Sequence, residues 1–409
     1  MQKINLKKYF FLGFTILMSV IFFLSIEPGR SIKTWSSSLW FATIFFQLVI
    51  WGYFFFKNSN VLLSLLFLNL YIILIINLIS TPYTLSIKSY YSLPKNINIK
   101  RILNDDTMYG FKKNKEITIK TDVKGFRVSD EIDYSANSIQ KKIILFGASQ
   151  VEEIYLNFAE TWGYQLSKSL IENFNERIEV VNTGVSGLRV DQIRKNLLYF
   201  IKNNINGEYY FFLFGQNDWN QHIVESNLSW NNKIFAKFSF RESFLMQIYT
   251  LLKFEISPRS NFKSTEIARY GKSQSDSLKN RKIFLNNLKK IPNDYKKITE
   301  EIVELCKINS LNCIFLESPN AYNLKVSETL KKNFWQTPPN TNYSLKLEDL
   351  VMISELYNNW LKEFVKNNGF LFCELNKFIE PTEKFFYDDS HLNPDGAKKI
   401  SQALYKCIK

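Results

Sequence analysis

Four short stretches hold residues that could do chemistry together. They are Gly147-Ala148-Ser149, Asn182-Thr183-Gly184-Val185-Ser186-Gly187, Gly215-Gln216-Asn217-Asp218 and Asp388-Asp389-Ser390-His391. A serine hydroxyl is a weak nucleophile and needs a base within hydrogen-bond reach. The chain has two histidines, His222 and His391. His391 is the better base, because the Asp388 carboxylate lies one short turn before it. From there it can accept from the second imidazole nitrogen, fixing the tautomer and stabilising imidazolium. When Ser149 attacks an ester carbonyl, the developing oxyanion needs donors placed in advance. The expected donors are the backbone N–H groups of Ser149 and Gly184 and the side-chain amide of Asn217. Gly184 suits the task because a backbone without Cβ can approach a substrate closely. His222 is assigned to loop structure, and Asp218 and Asp389 to turns or caps. Glu152 and Glu153 are assigned to the surface or rim, since sequence neighbours seldom share a reacting atom.

These stretches need a scaffold, and the alternation of apolar patterns supplies one. Strands are expected at 143–146, 178–181, 209–214, 313–316 and 370–373. Helices are expected at 162–173, 191–202, 298–308, 350–365 and 395–408, from apolar spacing such as Ile193, Leu197 and Ile201. Strands alternating with helices argue for a parallel sheet with helices on both faces. The strands are continuous apolar runs, as expected when both faces are covered. The first three stretches follow successive strands, so they meet at one edge, where ligands of such sheets bind. The fourth precedes the last helix, which can bring its head to the same edge.

The 409 residues carry a formal net charge of +14 and are 16% aromatic. No nucleic-acid module appears, so the charge points to anionic membrane surfaces or acidic polymers. Residues 9–26, 39–56 and 61–79 are apolar runs free of charged residues, each near the length that crosses a bilayer. The expected organisation is a transmembrane anchor over 1–80, a tether and small β preamble over 81–140, and a catalytic domain over 141–409. The basic N-terminus and the Lys57-Asn58-Ser59-Asn60 turn favour an N-terminus inside the cell, which places the domain outside the cytoplasm. An insertion over 219–291 holds an apolar segment and a basic tract; it reads equally as a lid and as a solvated basic surface. Cys306, Cys313, Cys373 and Cys407 match no zinc spacing, so no metal is expected. Buried thiols are the first reading for them, with disulfides left open. Neither a G-x-G-x-x-G nor a G-K-[ST] pattern is present, so no nucleotide cofactor is expected.

The four stretches resemble the sequence blocks of the SGNH (GDSL-type) hydrolase family. Asp388-x-x-His391-Leu392-Asn393-Pro394-x-Gly396 is the most specific match, and Gly125-Phe126-Arg127 resembles the preamble of membrane-tethered members. The resemblance covers about residues 109–409. It implies a flavodoxin-like three-layer α/β/α sandwich with catalytic Ser149, Asp388 and His391 and an oxyanion hole from Ser149, Gly184 and Asn217. It implies a serine esterase acting through an acyl-serine intermediate. The membrane anchor and the outside location suggest acyl esters, O-acetyl first among them, of cell-surface glycans or of lipids near the bilayer as its substrates. An O-acyltransferase using the same triad and a catalytically silent glycan-binding module are the alternatives. The chain departs from the family pattern at Ala148, Val151 and Glu153, where Asp, Thr and Gly are usual.

Overall fold

The computed structural model describes residues 90–103, 109–129, 132–135, 141–174, 178–227, 273–274, 281–334 and 343–409. It starts with a hairpin in which β1 (Asn98–Leu103) pairs antiparallel with β2 (Lys115–Lys120). Alternation builds it: Leu103, Ile117 and Ile119 are buried together, with Ile97 and Ile99 packed against them. Within the tether and β preamble expected over 81–140, the strands therefore begin as early as Asn98. Then come β3 (Lys141–Gly147), the one-turn helix α1 (Ser149–Glu152), α2 (Trp162–Phe174) and β4 (Ile178–Asn182). Next are α3 (Val190–Lys202), β5 (Tyr209–Leu213), α4 (Gln216–Asn227), β6 (Ser273–Gln274), α5 (Arg281–Leu288) and α6 (Asn293–Ile308). The chain closes with β7 (Cys313–Leu316), α7 (Glu328–Lys331), β8 (Tyr343–Ser344), α8 (Leu347–Asn367), β9 (Leu371–Cys373) and α9 (Pro394–Ile408).

The main sheet has five parallel strands in the order β4-β3-β5-β7-β9. Counted along the chain this is 2-1-3-4-5, the flavodoxin-like order, whose switch point lies between its first and third strands. Helices cross over between the strands and fall into two groups. Helix α9 packs on α2, while α3 packs on α6. Helix α8 joins the second group through Tyr357 and Trp360, whose rings meet Tyr295 of α6 at 4.8 and 5.6 Å. Phe146, Phe212 and Phe315 stack across three adjacent strands with centroids 4.9 and 5.1 Å apart. That ladder sets strand spacing under the site and carries much of the apolar burial that stabilises the sheet.

Three expectations change. Part of the expected insertion is core: α4 runs on to Asn227, and α5 packs against it through buried Phe284 and Leu288. The apolar segment of the insertion, 244–254, lies outside the described residues. The cysteines are not thiols: Cys306 pairs with Cys313, and Cys373 with Cys407. The first bond spans the short connection from α6 to β7, seven residues apart; the second joins β9 to α9 across 34 residues, a proximity the spacing along the chain does not reveal. His222 is not in a loop but on α4, buried between the Tyr357 hydroxyl and the Asn287 carbonyl. The three apolar runs lie outside the described residues, and among the described residues no helix is long and apolar enough to cross a membrane.

Candidate active site

β3 delivers Ser149. Its strand is buried to the last residue, and Ala148 breaks into α1 so that the serine heads the helix, half-exposed at the sheet edge. The Ser149 Oγ lies 2.8 Å from His391 Nε2. The other face of the ring meets Asp388, with Nδ1 at 2.8 Å from Oδ2 and 3.0 Å from Oδ1. A carboxylate at Nδ1 makes that nitrogen the donor, which leaves Nε2 to accept the serine proton. Burial alone would lower the His391 pKa, but the Asp388 carboxylate and its hydrogen bond override it and the net direction is up.

The Asp–His pair is rigid for local reasons. Asp388 Oδ1 accepts the backbone N–H groups of Ser390 and His391, at 2.9 and 2.7 Å. Phe386 bridges Leu392, and the Tyr387 N–H donates to the His391 carbonyl, so the segment is a tight hairpin. Asn393 then caps α9, accepting from the Gly396 N–H at 3.0 Å, with Pro394 in the first turn. The motif that reads as a family signature is thus a turn followed by a helix cap. Tyr387 lies flat against the His391 ring, 5.5 Å between centroids and 12° between planes. Nothing in the sequence singles out Tyr387 from its apolar neighbours Phe385 and Phe386.

The residues of the turn after the serine, Gln150 to Glu153, are all buried. The Gln150 amide donates to the carbonyls of Pro319 and Ser390, at 2.7 and 2.8 Å, and accepts from the Ser318 hydroxyl. It therefore ties the nucleophile to the histidine hairpin. Glu152 and Glu153 are 2% and 7% exposed, so the surface or rim expected for them is corrected. Glu153 ends α1 with φ +48°, an unusual conformation for a residue with a side chain. Contacts hold it there: its Oε2 accepts the Trp162 N–H at 2.9 Å. Burial pushes its carboxyl well above the usual range, against the pull of the Trp162 N–H and the Arg127 guanidinium. Arg127, fully buried, donates to the carbonyls of Glu152 at 2.5 Å, Glu153 at 2.8 Å and Leu156.

The donors expected for an oxyanion fare differently. No partner for the Ser149 N–H is present among the described residues. The Gly184 N–H is engaged: it donates to Asn182 Oδ1 at 2.9 Å, below the surface. A Cβ at Gly184 would stand 2.3 Å from the Glu152 nitrogen, so this glycine serves the packing of the loop under α1. Three residues on, Gly187 is exposed with φ +85° and open space where a Cβ would be. Asn217, at the head of α4, donates one amide hydrogen to the Leu188 carbonyl at 2.8 Å. A second amide hydrogen remains on the same nitrogen. Asp218 caps α3 through the Val190 N–H at 3.2 Å, and burial pushes its carboxyl up to about 7. Asp389 accepts the Tyr322 hydroxyl at 2.8 Å. Tyr155, Leu156, Tyr387 and Leu392 line a narrow cleft beside Ser149 and His391. Among the described residues no cluster of side chains could hold a metal ion.

No family model and no curated protein matches the chain. Solved structures do resemble it. A member of the lipolytic G-D-S-L family from Veillonella parvula aligns at 10% identity with a TM-score of 0.35, over 65% of this chain and 97% of its own. An acetylxylan esterase from Geobacillus stearothermophilus aligns at 13% identity with a TM-score of 0.34, over 66% of this chain and 94% of its own. A GDSL-like lipase from Bacteroides thetaiotaomicron aligns at 12% identity with a TM-score of 0.31, over 66% of this chain and 87% of its own.

Proposed function

We propose that the protein is a membrane-anchored serine esterase of the SGNH (GDSL) type, acting on short acyl esters, O-acetyl first among them, of cell-surface glycans or lipids. The observation that carries this reading is the Ser149–His391–Asp388 relay, continuous at hydrogen-bond distances from residues far apart in sequence. His391 Nε2 takes the Ser149 proton as Oγ bonds to the ester carbon, and Asp388 stabilises the imidazolium. The carbonyl oxygen becomes an oxyanion facing three donors: the Ser149 N–H, the spare amide hydrogen of Asn217, and the Gly187 N–H in place of Gly184. Collapse expels the alcohol, which takes the proton from His391 and leaves acyl-Ser149. His391 then deprotonates water, which attacks the acyl carbon and frees Ser149 and a carboxylic acid. A sugar hydroxyl in place of water would make the same site a transferase.

The cleft beside Ser149 and His391 is narrow, closed in by Tyr155, Leu156, Tyr387 and Leu392, which supports a short acyl group. The two disulfides fit an oxidising compartment, in line with a domain held outside the cytoplasm behind the apolar runs. The test is labelling by a fluorophosphonate together with hydrolysis of 4-nitrophenyl esters of increasing chain length. Wild type is expected to label and to prefer acetyl, and Ser149→Ala to lose both activities. A folded wild-type protein that does not label at Ser149 leaves the silent-module reading in its place. Acid release from an acylated glycan that slows when a sugar acceptor is added marks transfer.

A further inference from the structure

Glu152 has no part in the relay, yet among the described residues it is one of the most buried charged side chains, at 2% exposure. A carboxylate is buried at a cost unless hydrogen bonds replace water. Here one residue supplies two of them: the Ser186 N–H and the Ser186 hydroxyl both donate to Glu152 Oε2, at 2.6 and 2.5 Å. Ser186 immediately precedes Gly187. Held at its N–H and its hydroxyl together, Ser186 has little freedom in φ or χ1. The next peptide plane, which carries the Gly187 N–H, is then fixed by the turn that the Leu188 N–H closes onto the Val185 carbonyl at 3.2 Å, with Gly187 at φ +85°. Asn217 pins the far side of the same loop through the Leu188 carbonyl. The close approach of Gly184 to the Glu152 nitrogen seats the loop on α1.

We propose that Glu152 is a positioning residue. Through Ser186 it anchors the turn that aims the Gly187 N–H at the oxyanion. The proposal rests on the esterase reading above. The groups around His391 are Asp388, Asp389 and Ser390 from its own hairpin, Glu152 and Glu153 from the turn after the serine, and Tyr155 and Tyr387 in the cleft. Of these, Asp388, Asp389 and Glu152 all favour the charged imidazole. Arg127, bonded to the Glu152 carbonyl, holds the backbone of that turn.

The test compares wild type, Glu152→Gln, Glu152→Ala and Ser186→Ala as the full 409-residue chain. Active sites are counted by fluorophosphonate titration, and kcat and KM are measured with 4-nitrophenyl acetate. Glu152→Ala is expected to lose roughly 10- to 100-fold in kcat per titrated site, with KM little changed, as for a misplaced oxyanion donor. Glu152→Gln keeps an acceptor for Ser186 and recovers most of kcat. Ser186→Ala lowers kcat in the same way, with KM little changed. A merely structural Glu152 would lower the count of titrated sites and not kcat per site, so a Glu152→Ala protein with wild-type kcat per titrated site overturns the proposal. If Glu152→Ala does not fold, Ser186→Ala decides by the same measure. A wild-type protein that neither labels nor hydrolyses overturns the esterase reading and this proposal with it. An active wild type whose variants keep kcat per titrated site overturns this proposal alone.

Discussion

Replacing Arg127 with methionine should unlatch the nucleophile turn. The guanidinium is 0% exposed and donates to three carbonyls, those of Glu152, Glu153 and Leu156. Methionine fills much of the volume but donates nothing, so three carbonyls of the turn lose their partner. An unsatisfied buried group costs about 1–3 kcal/mol. The Glu152 and Glu153 side chains also lose the positive charge beside them. Breaking a buried charged network in this way costs about 3–5 kcal/mol. The Arg127 Nε–H has no partner among the described residues, which places the estimate toward the lower end of that range. At about 2 °C per kcal/mol for a unit of this size, the melting temperature should fall by about 6–8 °C. Turnover should fall with it, because the turn sets the distance from Ser149 to His391. Arg127→Lys keeps the charge but not the planar fork, and should land between the two. Thermal unfolding by circular dichroism, with kcat per titrated site, measures both. An Arg127→Met protein that melts within about 1 °C of wild type would falsify the claim that the guanidinium holds the turn.

Three further outcomes follow from the same geometry. Asn217→Ala should lower kcat about 10²- to 10³-fold with little change in KM, the loss expected of one oxyanion donor; a change confined to KM would remove Asn217 from that role. Activity should require neutral His391, whose pKa is raised, so the acid limb of kcat/KM should lie above the about 6.5 of a free imidazole. The sign for stability is opposite: a raised histidine stabilises the fold fully below its unfolded pKa, and that contribution fades as pH rises through the folded value. A limb midpoint below that of free imidazole would contradict the Asp388 contact. The Cys373–Cys407 bond closes a loop of 34 residues, for which chain entropy gives about 4 kcal/mol. Cys407→Ser, or reduction, should lower the melting temperature by several degrees; equal melting with and without reductant would show that the bond does not form.

Much of the scaffold was legible because its signals are local. Continuous apolar runs marked all five strands of the sheet to within a few residues, and the spacing of Leu166, Leu170, Ile193 and Leu197 marked α2 and α3. α6 begins five residues before its expected start, because the chain before Ile298 is lysine-rich and shows no apolar stripe until Tyr295 packs against α8. β1 escaped notice because its apolar face is completed only by β2 and by Tyr155. α4 hid in a polar stretch whose buried side, Trp219, His222 and Ile223, meets α5 and α8 rather than the sheet.

The sequence alone determined the chemistry on offer. Serine, histidine and aspartate were named because their acid–base properties make a relay, and Asp388 and His391 share one turn, so their pairing is a local matter. The partners of the nucleophile were decided only by tertiary structure. Glycine reads the same whether it approaches a substrate or a neighbouring helix, and only the packed loop shows Gly184 turned inward to Asn182 and Gly187 left open. Adjacent glutamates read as solvated surface, because burying them needs partners from distant residues. Ser186 donates to the Glu152 carboxylate and Trp162 to that of Glu153 only after the sheet has formed. Hydrogen bonds and close packing act over a few ångströms in space, and separation along the chain does not encode that distance.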